Sequence, residues 1–349
     1  MSLQKVKVWL FFSLLFLLIL IGCSKKNPVK RNPYVPRIAK AYITTEYDSV
    51  SVIDLGQFKR IKKIPVGEIS VGIAITPDYN YAYVTCRAPG EVYKVKVNGD
   101  TTVGSIKVGG YPGGIVIPSD GKKAYVANTG PDSKSIAVIN LKADTVETTI
   151  GLGESSPSIA LTPDDSKIFV TQPAANAIWV IDAQSYTVID QIGLDTPAYI
   201  AISRDGSYAY VTSGNSNYIS QISLSTLTQT HSFQVGDYPM GMVENPVNGD
   251  LLVPNRIPNS YLGNIIALDS SFVAQDTIRV AGFPTAMAFS EDETSLWVTV
   301  GVSGGTSLLY SIDPADYTTK GSLGIECGWP MDLAVVPGES GGEPAQESP

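Results

Sequence analysis

The sequence has very little of the residue types on which many enzyme sites depend. It contains one histidine and three cysteines in 349 residues, and only 17% of the residues are charged. A single histidine excludes the common zinc sites and haem attachment. It also argues against a histidine-assisted nucleophile, because His231 lies in a segment that we expect to be an outer strand. We therefore expect no catalytic residue, no metal and no cofactor.

A sustained helical pattern is also missing. Beyond the first twenty-odd residues, no segment repeats its apolar residues with a period of 3.6, whereas 32 glycines and 23 prolines provide many turns. This favours an all-β fold. With 44% apolar residues, the chain is long enough for one large domain built of repeats or for two ordinary domains.

The apolar run near the N-terminus is too short for a permanent membrane span. Its fourteen uncharged residues, 8–21, would cover about 21 Å as a helix, against roughly 30 Å for the hydrocarbon core. The run ends in Leu-Ile-Gly-Cys, residues 20–23, which resembles the lipobox of bacterial lipoproteins. The resemblance implies a signal peptide over residues 1–22 and a lipid on Cys23. An ordinary signal peptide with an incidental cysteine is the alternative.

Charge divides the remaining chain into a basic segment and an acidic body. The net charge is −8 for the whole chain and −10 without Lys5 and Lys7; residues 24–40 carry six basic residues and no acid, which leaves −16 from residue 41 onward. An acidic body argues against nucleic acid as a partner. We expect residues 23–37 to be an extended linker, either beside anionic headgroups or as a plain spacer, and residues 339–349 to be a disordered acidic tail.

The residue after the lipobox cysteine bears on location. Ser24 stands where, in lipoproteins retained at an inner membrane, an aspartate follows the cysteine. The resemblance therefore implies a cell-envelope protein at the outer membrane or the cell surface, if the cell has two membranes.

One pattern of about forty residues recurs seven times. It begins with a bulky residue followed by an apolar residue and usually threonine, and these bulky residues are 41 to 45 positions apart: Tyr42, Tyr83, Tyr125, Phe169, Tyr210, Leu252 and Trp297. Each unit supplies four short strands, which cannot bury both faces of their sheet alone. Radial stacking of such units solves this problem, so the pattern predicts a seven-bladed β-propeller over residues 38–338.

The two ends of the array are complementary. The chain starts with the second strand of a blade and finishes with residues 331–337, which match a first strand. We expect the C-terminal strand to pair with the N-terminal strands and close the ring. The predicted first strands are 71–76, 113–118, 158–162, 198–203, 240–245, 285–290 and 331–336.

Three short motifs resemble those of the YVTN-repeat β-propeller family, which includes bacterial lipoproteins and surface-layer proteins. They are Ala-Tyr-Val-Thr at 82–85, Val-Ile-Asp at 52–54 and 180–182, and Thr-Pro-Asp at 76–78 and 162–164. The resemblance extends over residues 38–338 and implies a propeller that binds ligands or partners. It implies no chemistry, because the repeated residues build the blades.

Aspartates that recur once per blade are expected to be turn residues. Each lies beside Pro, Gly, Asp or Glu, where its side chain can bond to the local backbone. They are spread around the ring and do not converge on a metal: Asp78, Asp120, Asp164, Asp205 and Asp292.

The candidate binding face surrounds one mouth of the channel. Four aromatic residues precede the prolines that open the inner strands, and we expect Tyr199 to join them: Tyr111, Tyr238, Phe283 and Trp329. They can plug the channel or form a platform for a ligand or partner. The ends of the second strands bring polar residues to the same face: Arg87, Asn128, Gln172, Asn255 and Arg256.

Two cations stand out in this acidic protein. Arg87 and Arg256 can each clamp a carboxylate or phosphate of a ligand. Each can equally form a structural salt bridge with a nearby acid, for which the candidates are Asp237, Glu326 and Asp332.

Cys86 and Cys327 should lie on the same face, either as a disulfide or as two partly buried thiols.

The sequence therefore predicts a lipid-anchored binding or scaffold protein of the cell envelope. Its ligand is a partner protein, a glycan or a small molecule. The rival interpretation is a channel-centred enzyme, either a lyase or hydrolase that uses carboxylates or a subunit of a cofactor-dependent dehydrogenase. Two carboxylates with raised pKa values converging in the channel would favour this rival.

Overall fold

A computed structural model describes residues 38–338, except for residue 132 and the segments 214–215, 258–259 and 303–305. The predicted signal peptide (1–22), linker (23–37) and tail (339–349) lie outside the described residues. Within this described part, no helix has the length and apolar character to span a membrane.

Seven antiparallel sheets of four strands follow one another around a ring. Blade I contains β1 (Lys40–Thr45), β2 (Ser49–Asp54) and β3 (Lys59–Pro65). Blade II contains β4 (Glu68–Ile75), β5 (Tyr81–Ala88), β6 (Glu91–Lys96) and β7 (Thr101–Lys107). Blade III contains β8 (Pro112–Val116), β9 (Lys123–Asn128), β10 (Ser135–Asn140) and β11 (Thr145–Gly151).

The second half of the ring repeats this order. Blade IV contains β12 (Ile159–Leu161), β13 (Lys167–Gln172), a 3-10 turn (Pro173–Ala175), β14 (Ala177–Asp182) and β15 (Val188–Gly193). Blade V contains β16 (Pro197–Ile202), β17 (Tyr208–Ser213), β18 (Tyr218–Ser223) and β19 (Thr228–Gln234). Blade VI contains β20 (Val243–Glu244), β21 (Leu251–Arg256), β22 (Gly263–Leu268) and β23 (Ala274–Val280). Blade VII contains β24 (Phe283–Phe289), β25 (Leu296–Gly301), β26 (Ser307–Ile312) and β27 (Thr319–Ile325), and β28 (Pro330–Val336) returns to blade I.

The ring closes through the last strand. β28 pairs antiparallel with β1, so that Lys40 lies opposite Val336 and Tyr42 opposite Ala334. The predictions of seven blades and of closure by the C-terminal strand are confirmed. Since no blade hides its own apolar faces, this pairing also covers the sheet edge that an open array would expose.

The repeated threonines connect adjacent blades. The Thr44 hydroxyl donates to the Val71 carbonyl of the next inner strand at 2.7 Å, and Thr85 does the same to Gly113 at 2.7 Å. Thr171 repeats the contact with Ala198 at 3.1 Å. In these three blades the threonine therefore ties the second strand of one blade to the first strand of the next.

One inner strand is shorter than the sequence pattern predicts. The structure pairs only Val243–Glu244 with β21, whereas the pattern predicts a strand over 240–245. The Pro254 carbonyl accepts a bond from the Met240 N–H, so this side of Pro254 faces the inner strand. Because proline has no N–H, the ladder loses a bond at this point.

The recurrent aspartates are turn residues, as the sequence predicts. Asp164 accepts bonds from the Thr162 hydroxyl at 2.6 Å and from the Ser166 N–H at 3.1 Å, and these bonds lower its pKa to about 2. Asp205 repeats this arrangement with Ser203 and Ser207.

His231 lies on the outer strand β19, where its Nδ1 is 2.9 Å from the Gln221 side-chain oxygen.

Candidate functional site

The candidate site lies at the channel end where the second strands finish and the linkers enter the inner strands. We call this end the upper mouth. The strand register defines one equivalent inner-strand position in each blade, directly before the first core residue of that strand. Five blades have a small residue there: Gly72, Gly114, Ser158, Gly241 and Ala286. The other two have Tyr199 and Asp332.

Asp332 connects two inner strands through its carboxylate. Its Oδ2 accepts the Ile73 N–H of blade II at 3.0 Å, and its Oδ1 accepts the Leu333 N–H at 2.8 Å. Burial raises the pKa of this carboxyl to about 6, although the two N–H groups lower it. It is the only carboxyl in the described residues with a clearly raised pKa, so no pair of such carboxyls is seen there.

Tyr199 reaches charged groups from several blades. It exposes 38% of its surface, which shows that its ring borders open space. Protein nevertheless surrounds the phenol closely enough for burial to raise its pKa, while Arg256 and Arg87 lower the pKa and Asp332 raises it. The structure therefore brings Arg87, Arg256 and Asp332 within electrostatic range of the Tyr199 phenol.

The two arginines do not pair with the predicted acids. Glu326 pairs instead with Arg60 at 3.3 Å, and Asp237 accepts a bond from the Asn217 amide. Neither Arg87 nor Arg256 forms an ion pair with any residue that the structure describes, and the Nε of each is buried without a hydrogen-bond partner. The salt-bridge interpretation is therefore wrong for these candidates, and both guanidiniums retain donors for a ligand.

An aromatic wall adjoins Arg256. Its guanidinium carbon lies 4.8 Å from the centroid of the Phe283 ring, and Phe283 lies 5.8 Å from Trp329. Trp329 packs directly over Gly301, where an added Cβ would lie 2.8 Å from the indole. The backbone N–H of Trp329 donates to the Glu46 carboxylate at 3.3 Å. These contacts hold the wall across blades VI, VII and I.

Tyr111 and Tyr238 occupy the rim. They are 52% and 65% exposed, and their φ angles are +53° and +49°. Positive φ is rare outside glycine, so these linkers adopt a constrained turn that directs each ring outward. The predicted aromatic set thus divides into a packed pair, Phe283 and Trp329, and two exposed tyrosines.

Three predicted face residues lie beneath the linkers and not on the exposed face. Asn128, Gln172 and Asn255 are at most 1% exposed. The Asn128 amide donates to the Val108 carbonyl at 3.0 Å, and Asn255 packs so closely on the linker that a Cβ at Gly236 would lie 2.9 Å from it. In two other blades this repeat position holds Cys86 and Val300. Aligning the repeats could therefore have indicated that the three polar residues pack in the interior.

Cys86 and Cys327 are two free, buried thiols, so the disulfide alternative is not realised. They belong to different core clusters, with Tyr42 and Val84 around Cys86 and with Ile43 and Leu333 around Cys327. Burial raises the pKa of Cys86 to about 12 and that of Cys327 to about 11. Both groups are therefore protonated at neutral pH.

The lower end of the channel differs in chemistry. A cavity of ≈ 560 Å³ there is lined mainly by apolar side chains, among them Ile75, Ile117, Leu161 and Ile202. Among the described residues that line this open pocket, the one with a charge is Asp165, which would repel an anion. The upper mouth, with its two arginines, is therefore the end better suited to an anionic ligand.

Comparison with known proteins supports the fold. The sequence model of a family described as YNCE-like beta-propeller matches residues 53–245, more than half of the chain. Antigen Lp49 of Leptospira interrogans is 24% identical over 164 residues, which are 41% of this chain and 36% of the antigen. The chain thus matches about a third of that relative's length.

Two solved structures illustrate the range of similar propellers. A functionally unknown protein from Desulfotomaculum acetoxidans has a TM-score of 0.71 at 15% identity, with 86% of this chain and 99% of that chain covered. Kuenenia stuttgartiensis hydrazine synthase has a TM-score of 0.62 at 19% identity, with 69% and 76% covered. At these identities the likeness shows the fold alone.

Proposed function

Because the chain belongs to the YNCE-like beta-propeller family, whose description states a fold and no activity, we propose its function from its own site. We propose that it is a binding protein that holds an anionic ligand at the upper mouth of its channel. The observation that carries the proposal is the pair of guanidiniums, Arg87 and Arg256, that have no ion-pair partner among the described residues in a protein of net charge −8.

Guanidinium groups suit this role because their planar donors match carboxylate and phosphate oxygens. Hydrogen bonds to charged groups contribute about 1.5–3 kcal/mol each. The ring of Phe283 supports one face of the Arg256 guanidinium, and this contact limits the rotamers that binding must immobilise. Phe283 and Trp329 offer an apolar surface beside the anion.

The location at the cell envelope remains part of the proposal. Its support is the lipobox-like segment 20–23, with Cys23 as the lipidated residue.

Ligand binding can be tested by calorimetry with a panel of carboxylates and phosphates. We expect Arg87→Gln and Arg256→Gln each to weaken binding of the best anion at least tenfold. Arg279→Gln is the matched control, because Arg279 is an exposed cation on the outer strand β23. Equal weakening by all three variants would indicate a general charge effect, and no binding of any anion by the wild type would overturn the proposal.

Lipid anchoring can be tested by phase partitioning of the expressed full chain in a detergent. We expect the wild type in the detergent phase and Cys23→Ser in the aqueous phase. Mass spectrometry of the mature N-terminal peptide should show the acyl chains on Cys23. An aqueous wild-type protein with an unmodified cysteine would show that the resemblance to a lipobox is incidental.

A further inference from the structure

Asp332 and Ser158 perform the same structural task in two different blades. Both occupy the inner-strand position defined above, in β28 and just before β12 respectively. The Ser158 hydroxyl accepts the Ile200 N–H of the next blade at 3.3 Å, just as Asp332 Oδ2 accepts the Ile73 N–H at 3.0 Å. A neutral hydroxyl is therefore sufficient to connect neighbouring inner strands in this protein.

The negative charge of Asp332 is consequently not explained by the strand contact. A buried carboxylate without a counter-charge is unfavourable, so a serine would hold the strands at lower cost. Three other blades use glycine at this position: Gly72, Gly114 and Gly241. The ring thus tolerates a residue with no side chain there.

The charged groups around Asp332 remain apart from it. Asp332 forms no ion pair with any residue in the described part of the chain, and neither guanidinium is among the causes that set its pKa. All three charges nevertheless act on the phenol of Tyr199. The upper mouth therefore carries both signs of charge, with Arg87 in blade II, Arg256 in blade VI and Asp332 in blade I.

Each oxygen of Asp332 accepts one backbone N–H and retains a second lone pair. Protein encloses the carboxyl closely enough to raise its pKa, but part of the residue's surface remains exposed to solvent. We propose that Asp332 binds a protonated amine of the ligand and that the ligand is a zwitterion whose carboxylate lies at Arg87 and Arg256. This inference rests on the proposed function and specifies the ligand class of the same site.

The test uses ligand pairs that differ only in the amine. Calorimetry on the wild-type protein would compare the affinity for 4-aminobutyrate with that for butyrate. It would compare 5-aminovalerate with valerate and 6-aminohexanoate with hexanoate in the same way. We expect at least one amino acid to bind tenfold or more tightly than its matched acid. Short peptides such as glycylglycine form a second arm, which distinguishes a peptide ligand from a free amino acid.

The decisive variant is Asp332→Ser, which retains the strand contact that Ser158 already makes. We expect it to remove the preference for the amine and to leave binding of the plain carboxylate within about threefold. Ser158→Ala is the matched control, because it removes an equivalent strand contact and should keep the preference. Thermal melting of both variants would confirm that they are folded.

The outcomes separate the two proposals. If plain carboxylates bind but no amino acid binds more tightly than its partner, or if Asp332→Ser keeps the preference, the zwitterion inference is overturned and the anion site stands. If the wild-type protein binds no carboxylate, phosphate or zwitterion, both proposals fail.

Discussion

The carbon of the Arg256 guanidinium lies over the Phe283 ring, 4.8 Å from its centroid. The two residues come from different blades, VI and VII, so their contact exists only in the closed ring. The contact holds a cation at the channel mouth without using a carboxylate. No carboxylate of the described residues pairs with this guanidinium, so its charge is left for a ligand.

Replacing the aromatic support should weaken anion binding modestly. A cation–π contact contributes about 0.5–1 kcal/mol at an exposed site, so Phe283→Leu should weaken binding roughly two- to fivefold. Calorimetry with the best anion measures this effect. In an Arg256→Gln background the same substitution should have no further effect; an undiminished loss there would show that the ring contacts the ligand directly.

Asp332 should make the stability of the protein depend on pH. Its pKa is raised from 3.8 to about 6 in the folded state, so the folded protein binds a proton between these values that the unfolded chain does not bind. For this group, stability therefore increases as pH falls from about 6 to 4 and is reduced above pH 6. Tyr199, Arg87 and Arg256 are the other described charged or titratable groups that share this part of the channel mouth.

The same reasoning predicts the effect of Asp332→Ser on unfolding. At pH 8 the variant should be more stable than the wild type, by roughly 1–3 kcal/mol, since two pKa units correspond to about 2.7 kcal/mol. At pH 4 the difference should vanish, because the wild-type carboxyl is then protonated when folded. Urea unfolding at both pH values measures it, and an equal difference at both would show that charge is not the cause.

The threonine contacts between blades should be important for stability. Thr85 accepts the Gly72 N–H at 2.8 Å and donates to the Gly113 carbonyl at 2.7 Å. Thr85→Val leaves both buried groups without this partner, and we expect a loss of about 1–3 kcal/mol in the free energy of unfolding. Thr149→Val on the exposed outer strand β11 is the control and should change stability by less than about 0.5 kcal/mol.

The buried thiols should be unreactive in the folded protein. Because burial raises the pKa values of Cys86 and Cys327 to about 12 and 11, little thiolate exists at pH 8. Ellman's reagent should therefore label neither thiol quickly in the native state and both in guanidinium chloride without reductant. Failure to label them in denaturant would indicate a disulfide in the natural protein.

Much of the fold could be read from the repeats. The spacing of the Tyr42 and Tyr83 positions and their successors predicts seven units, and the C-terminal segment 331–337 predicts the closure that β28 makes with β1. The length of β20 could not be predicted, because it depends on which side of Pro254 faces the inner strand. The side of Pro254 that faces the inner strand is set by strand pairing and not by residue type.

The site could be predicted only in part. Arg87, Arg256 and Asp332 do come within electrostatic range of Tyr199 at the mouth. Asn128 and Asn255 belong to the same strand ends, but strand alternation and the close linker glycines place them underneath. Polarity alone could not distinguish these two outcomes.

By itself the sequence determined the number of blades, the position of the closing strand and the turn role of the recurrent aspartates, because each follows from a local pattern repeated seven times. Only the tertiary structure decided that Arg87 and Arg256 lack a described counter-ion and that both, together with Asp332, act on the phenol of Tyr199. These residues lie in four blades and are far apart along the chain. Their relation is set by the curvature of the ring, which no local pattern contains.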